Sequence, residues 1–281
     1  MGRQQGPALK QWKRQVQAHH AQSRRAMKEE ARDYWQPYTS FFRQDPYRTG
    51  DPALNALLRH VRPSDTVLDV GGGAGRFALP LALRCRWVTV VEPSPSMVAA
   101  LKEGMQEAGI TNISVFQSLW EEAEVEPHDV VLCAHVLYGV EEVDAFVKKL
   151  LAHARRLVLV LMFMESPISV FSQAWRLVRR ERRIDLPGLR LLLPVLWEMD
   201  IYPDVEMVQC APYRAFHSWE AAVQELRRRL YISPQTPEEE RLMHLLPRLL
   251  EETPEGIRLR CTPSRWEGLL VLPRERATPP S

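Results

Sequence analysis

The sequence predicts an α/β fold with a doubly wound, mostly parallel sheet of seven strands, an N-terminal helical segment and helical insertions. The first observation is a regular alternation of short apolar segments with helical segments between residues 66 and 163. The second is a cluster of glycines directly behind the first apolar segment. The third is the end of this alternation after Phe163, where longer helical stretches follow.

The alternating part contains apolar runs of strand length, separated by segments with helical spacing. Asp51 followed by Pro52 is typical of a helix start. The predicted strands are 66–70, 87–92, 113–118, 128–136 and 156–163, and the predicted helices are 51–61, 76–85, 94–109 and 143–154. Strands that alternate with helices in this way form a parallel sheet covered on both faces.

The flanking regions have a different composition. Residues 1–35 are rich in Lys and Arg and poor in apolar residues, which predicts a solvated helix that ends in the aromatic stretch 34–42. After residue 163 we expect helices over 166–183, 186–199, 218–230 and 236–252, and strands over 205–216 and 267–273.

Composition narrows the class of protein. The net charge of +2 gives no strong attraction to nucleic acid or to membranes, and nucleic acid is not an expected partner. The four cysteines are scattered without a Cys-x-x-Cys pair, so we expect neither disulfides nor a bound metal. The longest apolar run, 157–164, is too short for a membrane span, and the N-terminus lacks the apolar stretch of a secretory signal. A soluble, cytoplasmic protein is expected.

The glycine cluster lies where the first strand turns into a helix. Glycine costs about 0.5–1 kcal/mol in regular structure, so the cluster indicates a ligand that approaches the backbone and the amides of the next helix. Two cofactor classes use such a loop. A dinucleotide pattern is found as Gly73-x-Gly75-x-x-Ala78, but its first glycine lies two residues beyond Gly71.

The better match begins with Asp69-x-Gly71-x-Gly73-x-Gly75, which resembles the first motif of class I S-adenosylmethionine-dependent methyltransferases. The segment VTVVEPSPSMVAAL (88–101) is similar to the second motif of that family. ISVFQSLWEE and HVLYGVEEVDAF are similar to the segments at its third and fourth strand ends. The resemblance covers residues 51–163 and implies an antiparallel last strand and S-adenosylmethionine as cofactor.

The resemblance also implies which residues bind this cofactor. Glu92 would accept hydrogen bonds from both ribose hydroxyls. Leu119 stands where many members of the family carry the aspartate that binds adenine, so adenine would contact backbone amides, Gln117, Ser118, Leu119 or Trp120. The implied cofactor-binding residues are Asp69, Gly71, Gly72, Gly73, Gly75, Glu92, Pro93, Met97, Ser118, Leu119, Trp120, His135 and Trp35.

Candidates for the acceptor side are fewer, because the sulfonium is already an activated leaving group and a base is optional. His135 follows the fourth strand and is the candidate catalytic base; the alternative is a hydrogen-bonded or cofactor-packing histidine. Tyr138 and Tyr202 are candidate substrate contacts. The choice of Tyr202 assumes that the junction before the sixth strand lies at the carboxyl edge of the sheet. Five further histidines are interpreted as surface or local structure: His19, His20, His153, His217 and His244.

These interpretations divide the chain into five parts. Residues 1–50 form the N-terminal helical and lid segment, and 51–164 the cofactor-binding core. Residues 165–203 are a helical insertion on the substrate side, 204–273 contain the closing strands with inserted helices, and 274–281 are a disordered tail.

The N-terminal segment and the insertion 165–203 are expected to cover the site; the alternative is that the aromatic residues after residue 33 only anchor the N-terminal helix to the domain. Tyr34, Trp35 and Tyr38 would lie at the methionine end of the cofactor, with Arg43 or Arg48 near its carboxylate. Deletion of residues 1–48 is expected to leave a folded domain.

The expected function is methyl transfer from S-adenosylmethionine to a small molecule by an in-line reaction. Two alternatives remain: an RNA or protein methyltransferase, and a non-catalytic S-adenosylmethionine-binding protein. The segment 176–190 carries six arginines and could contact RNA or an acidic substrate, or be a solvated helix face. The sequence leaves open whether the protein is a monomer or a homodimer.

Overall fold

The computed structural model describes residues 5–27, 33–210, 213, 215–260 and 265–274. Within these residues one sheet has seven strands in the order β3-β2-β1-β4-β5-β9-β6. Its strands are β1 (Thr66–Val70), β2 (Trp87–Val91), β3 (Ile113–Phe116), β4 (His128–Ala134), β5 (Ala154–Phe163), β6 (Asp204–Gln209) and β9 (Trp266–Pro273). Strands β1 to β5 pair in parallel, and β9 is antiparallel to both β5 and β6. The predicted fold class is confirmed.

The helices agree with the prediction in position but differ at several ends. They are α1 (Pro7–Ala26), α2 (Thr39–Phe42), α3 (Pro52–Leu58), α4 (Ala78–Ala82), α5 (Pro95–Ala108), α6 (Val143–Ala152), α7 (Ser172–Arg179), α8 (Leu189–Glu198), α9 (Trp219–Arg229) and α10 (Pro237–Leu249). The Asp51 carboxylate caps α3 as predicted, accepting hydrogen bonds from the N–H groups of Ala53 and Leu54. All helices in the described part of the chain are too short or too polar to cross a membrane.

A small hairpin of β7 (Leu250–Thr253) and β8 (Gly256–Leu259) was not predicted. The prediction was a helix over 236–252, and this is wrong at its end because α10 ends two residues after Pro247. The proposed tail cannot be compared, since residues 275–281 lie outside the described residues.

Helices cover both faces of the sheet. One face packs against α1, α6 and α8, and the other against α3, α4 and α5. A third apolar cluster joins α7, α9 and α10 to the hairpin. The insertions therefore have their own core beside the sheet.

Helix α1 is not the solvated helix that its composition predicts. Trp12 and Val16 are fully buried in the core against α8, and the Trp12 Nε1–H donates to the Val140 carbonyl at 2.7 Å. His19 on the same face is also buried, with Nδ1 2.6 Å from the Ile184 carbonyl. The few apolar residues are spaced on one helical face, so a low apolar content was a poor guide. Deleting residues 1–48 would remove part of the core.

The arginine-rich segment also departs from the expectation. A 3₁₀ turn (Pro167–Phe171) and α7 replace the continuous helix predicted over 166–183. Arg179 donates to the carbonyls of Leu230 and Tyr231, and the buried Arg183 has its Cζ 3.8 Å above the Trp175 ring. These two arginines therefore join elements of the interior instead of forming a solvated face.

Candidate active site at the carboxyl edge of the sheet

The glycine loop between β1 and α4 has three residues with positive φ: Gly71 (+72°), Gly73 (+55°) and Gly75 (+85°). A Cβ on Gly71 would lie 2.4 Å from Val136, and one on Gly75 would lie 2.5 Å from Leu101. A Cβ on Gly73 would meet no heavy atom within 4 Å. Gly71 and Gly75 are therefore explained by packing within the protein, whereas Gly73 faces open space that a ligand can use.

Glu92 follows β2 and faces this loop. It is 5% exposed, and its Oε2 accepts a hydrogen bond from the Gly73 N–H while its Oε1 accepts one from the Ser94 N–H, both at 2.9 Å. Burial raises the pKa of Glu92, and these two hydrogen bonds oppose that effect. An ionised carboxylate has about four lone-pair sites, so Glu92 retains capacity for two more donors.

Asp69 lies beneath the loop instead of facing the open space. It is 2% exposed, and its Oδ2 has no hydrogen-bond partner in the described part of the chain and lies 2.9 Å from the position of a Gly72 Cβ. Burial, followed by the charge of Glu92, raises the pKa of Asp69 to about 7. Asp69 thus lies behind Gly72 and not on the open side of the loop at Gly73.

The segment 33–42 is held against the N-terminus of α5. The Asp33 carboxylate accepts hydrogen bonds from the Ser94 hydroxyl at 3.0 Å and from the Ser96 N–H at 3.1 Å. Tyr38 is buried in a small cluster with Ala74, Met97 and Ala100. The segment therefore packs beside both the glycine loop and Glu92.

The same segment also contacts α9. Arg229 donates to the Tyr34 hydroxyl at 3.2 Å, and its Cζ lies 4.3 Å from the centre of the Tyr38 ring. Glu225 pairs with Arg229 at 2.7 Å. Helix α9, from the C-terminal part of the chain, thus helps to enclose the site, a role that we expected of the insertion 165–203.

Comparisons with known proteins agree with this geometry. The family described as methyltransferase domain matches residues 67–158, which run from β1 into β5. This chain carries a class I S-adenosylmethionine-dependent methyltransferase domain. The crystal structure of an S-adenosylmethionine-dependent methyltransferase from Geobacter sulfurreducens, in complex with S-adenosyl-L-homocysteine, superimposes with a TM-score of 0.54 at 15% identity. That match covers 88% of this chain and all of the other, so the methyltransferase fold extends well beyond the matched domain.

Curated relatives of the methyltransferase domain act on different kinds of substrate by name. Ubiquinone biosynthesis O-methyltransferase of Rickettsia felis is 33% identical over 90 residues, which are 32% of this chain and 36% of that protein. Ribosomal RNA small subunit methyltransferase G of Chlorobaculum tepidum is 32% identical over 102 residues, which are 36% of this chain and 46% of that protein. The chain thus spans less than half the length of these relatives.

At the same carboxyl edge of the sheet, His135 directly follows β4 with a φ of +61°. The Tyr138 hydroxyl accepts the Phe163 N–H at 2.7 Å and shares a hydrogen bond with His135 Nδ1 at 3.0 Å. Burial lowers the pKa of His135, which favours the neutral ring, and Nε2 is the second ring nitrogen. This buried Nε2 lies 3.4 Å from Oε2 of Glu267, without the alignment of a hydrogen bond. Both ring nitrogens therefore face protein atoms.

Glu267 is a site residue that the sequence analysis missed. It is 4% exposed, is the second residue of β9, where it pairs with Phe163, and accepts a hydrogen bond from the Cys210 thiol at 2.8 Å. Burial acts to raise the pKa of Glu267, but His135 and Cys210 outweigh it and lower the pKa. A lone acid at the start of an apolar strand was its only signal, because no nearby motif includes it.

The predicted adenine contacts separate in the structure. Leu119 is 49% exposed and can pack on a flat ligand, and Ser118 lies beside it. Trp120 is buried in the core, 5.0 Å from the His153 ring, and is not available to a cofactor. The prediction that Trp120 contacts adenine is corrected by this placement. The Lys149 ammonium of α6 donates a hydrogen bond to the Trp120 carbonyl and holds this turn against α6.

Two other expectations on this site are corrected. Arg43 pairs with Glu103 and Glu107 of α5, and Arg48 pairs with Asp51, so neither is free for a cofactor carboxylate. Tyr202 precedes β6. The last residue of β6, Gln209, pairs with Trp266, the first residue of β9, so it is the carboxyl end of β6 that lies at the site. The premise for Tyr202 is therefore wrong, and this exposed residue lies toward the opposite edge of the sheet.

Proposed function

We propose that this methyltransferase domain transfers the methyl group of S-adenosylmethionine to a small molecule. The observation that carries the proposal is the pairing of Glu92 with Gly73. A buried carboxylate with spare acceptor capacity lies beside backbone that faces open space, at the carboxyl ends of adjacent parallel strands. When bound, the cofactor supplies a methyl group on a good leaving group.

The residues present fit that cofactor. Glu92 would accept hydrogen bonds from the ribose hydroxyls, the Gly73 backbone would pass beside it, and Leu119 would pack on adenine. Tyr38 and Trp35, in the segment held by Asp33, would exclude water from the other end.

The acceptor would lie beyond the carboxyl ends of β4 and β5 and the start of the antiparallel β9. His135 and Phe163 stack there with ring centres 4.6 Å apart. Both nitrogens of His135 contact protein atoms, and this favours a hydrogen-bonded structural role for His135 over the role of catalytic base. His135 and Tyr138 would then shape the acceptor side, and catalysis would rest on placing the nucleophile in line with the methyl group.

A small acceptor is favoured over RNA by the cover on the site. The segment 33–42 and α9 are joined above the sheet edge through Tyr34 and Arg229, which leaves little room for a folded polymer. Arg179 and Arg183 also pack against interior elements, so fewer arginines of the basic stretch 176–190 are exposed to contact RNA.

The test is calorimetry with S-adenosylhomocysteine, followed by a methyl-transfer screen with labelled S-adenosylmethionine and separate small-molecule and RNA pools. We expect binding, thermal stabilisation of about 2.7 kcal/mol at 100 times the dissociation constant, and turnover with small molecules. Stabilisation by NAD alone would reject the cofactor assignment. Binding without any turnover would favour the non-catalytic alternative, and turnover confined to RNA would reject the small-molecule class.

A further inference from the structure

Arg265 lies at the acceptor side of the site, immediately before β9. Its Cζ is 3.8 Å from the centre of the Phe163 ring, on which the His135 ring also stacks. The Tyr213 ring is 5.9 Å from the same atom. A guanidinium held against aromatic faces keeps its in-plane N–H groups free for a planar acceptor.

This guanidinium has no acid of its own. Among the residues that the structure describes, no carboxylate lies within 4 Å of Arg265. Glu267, two residues further on, accepts a hydrogen bond from the Cys210 thiol, and its charge acts to raise the pKa of Arg265 without direct contact. Burial lowers the pKa of Arg265, which reports the cost of holding this cation away from water.

Two other arginines that the structure describes in this region are paired. Arg229 contacts Glu225 at 2.7 Å, and Arg76 lies 3.8 Å from Asp51. The charges of Arg76 and Arg265 both lower the pKa of His135, which places both cations within electrostatic reach of the acceptor side. Among these three arginines, Arg265 is thus the one without a directly paired carboxylate in the described part of the chain, and the charge of Glu267 acts on it only from beyond 4 Å.

We infer that the methyl acceptor carries a carboxylate and that Arg265 binds it through a bidentate contact. The aromatic neighbours Phe163 and Tyr213 suit a carboxylate attached to a flat, apolar group. This inference rests on the proposed function for the identity of the reaction, but the binding of the acid depends on Arg265 alone.

The test compares benzoate with benzamide, which has the same shape without the charge. Both are titrated by calorimetry into the wild type, Arg265→Gln, Arg265→Lys and the control Arg190→Gln, with and without saturating S-adenosylhomocysteine. Arg190 is an exposed arginine whose guanidinium is already paired with Glu165 at 2.7 Å. Melting curves establish that each variant is folded.

We expect the wild type and Arg190→Gln to prefer benzoate at least tenfold, or about 1.4 kcal/mol. Arg265→Gln should lose that preference, and Arg265→Lys should retain part of it because it keeps the charge but not the planar fork. Equal affinity for the two probes in the wild type, or an unchanged preference in Arg265→Gln, overturns the inference. Failure of S-adenosylhomocysteine to bind the wild type would instead reject the proposed function, and the titrations without it would still test Arg265.

Discussion

The carboxylate of Glu92 accepts a hydrogen bond from the backbone of Gly73 at 2.9 Å, which joins the loop after β1 to the end of β2. The contact follows from the sheet, because Val70 and Val91 are paired in parallel and the residues after them emerge side by side. A glycine and an acid 19 residues apart in sequence thus form one half of the candidate cofactor site.

Glu92→Gln is expected to weaken S-adenosylhomocysteine binding by ten- to a hundredfold. Hydrogen bonds to a charged group contribute about 1.5–3 kcal/mol, and the amide would also place a donor against the N–H of Gly73 or Ser94. Calorimetry measures the change, with Glu240→Gln, an exposed acid in the first turn of α10, as the control. Normal affinity in Glu92→Gln would place the cofactor elsewhere.

Gly73→Asn tests the open space directly, because asparagine tolerates a positive φ and its side chain would enter that space. We expect at least a tenfold loss of S-adenosylhomocysteine affinity, or about 1.4 kcal/mol. Gly109→Asn is the matched control: Gly109 has a φ of +65°, equally open surroundings, and a position at the far end of α5. Similar affinities in the two variants would count against a ligand at Gly73.

The alternation of strands and helices was predictable because β1, β4 and β5 are largely buried, and turn residues separate the apolar runs along this part of the chain. The packing of α1 was not, since composition averages over a helix and conceals the face that carries Trp12 and Val16. The hairpin of β7 and β8 was missed for a related reason. Its strands have four residues each and directly follow a helical pattern, so no change of period marks the boundary.

The cofactor half of the candidate site was predictable because its residues lie in two short continuous motifs around Gly73 and Glu92. The acceptor half was not. Glu267 and Arg265 lie near His135 only because β9 runs antiparallel beside β5. This pairing brings the start of β9 to the carboxyl edge of the parallel strands. Sequence motifs cannot show a pairing between strands a hundred residues apart.

Asp69→Asn is expected to change how stability depends on pH in the ligand-free protein. A folded-state pKa of about 7, above the usual value of 3.8, means that the buried acid favours folding while protonated and loses that contribution as pH rises from about 4 to about 7. The stability of Asp69→Asn relative to the wild type should therefore increase over this range, by about 1.4 kcal/mol for each pKa unit. Urea unfolding at pH 5 and pH 8 measures it, and parallel pH profiles for the two proteins would contradict the prediction.

Asp33→Ala should release the segment 33–42 from α5 without disturbing the core contacts of α1. The carboxylate holds both the Ser94 hydroxyl and the Ser96 N–H, and this contact ties the segment that carries Tyr38 to the start of α5. If the segment covers the cofactor, its release should speed dissociation of S-adenosylhomocysteine about tenfold and leave the association rate nearly unchanged.

Stopped-flow displacement measures the dissociation rate. Asp45→Ala is the control, because Asp45 also caps its own loop, through the Tyr47 N–H, but makes no contact with the N-terminus of α5 in the described structure. A point variant is required here, since deleting residues 1–48 would also remove the buried Trp12 and Val16. If Asp33→Ala and Asp45→Ala release the ligand at the same rate as the wild type, the segment 33–42 is an anchor for the N-terminal region and not a cover for the site.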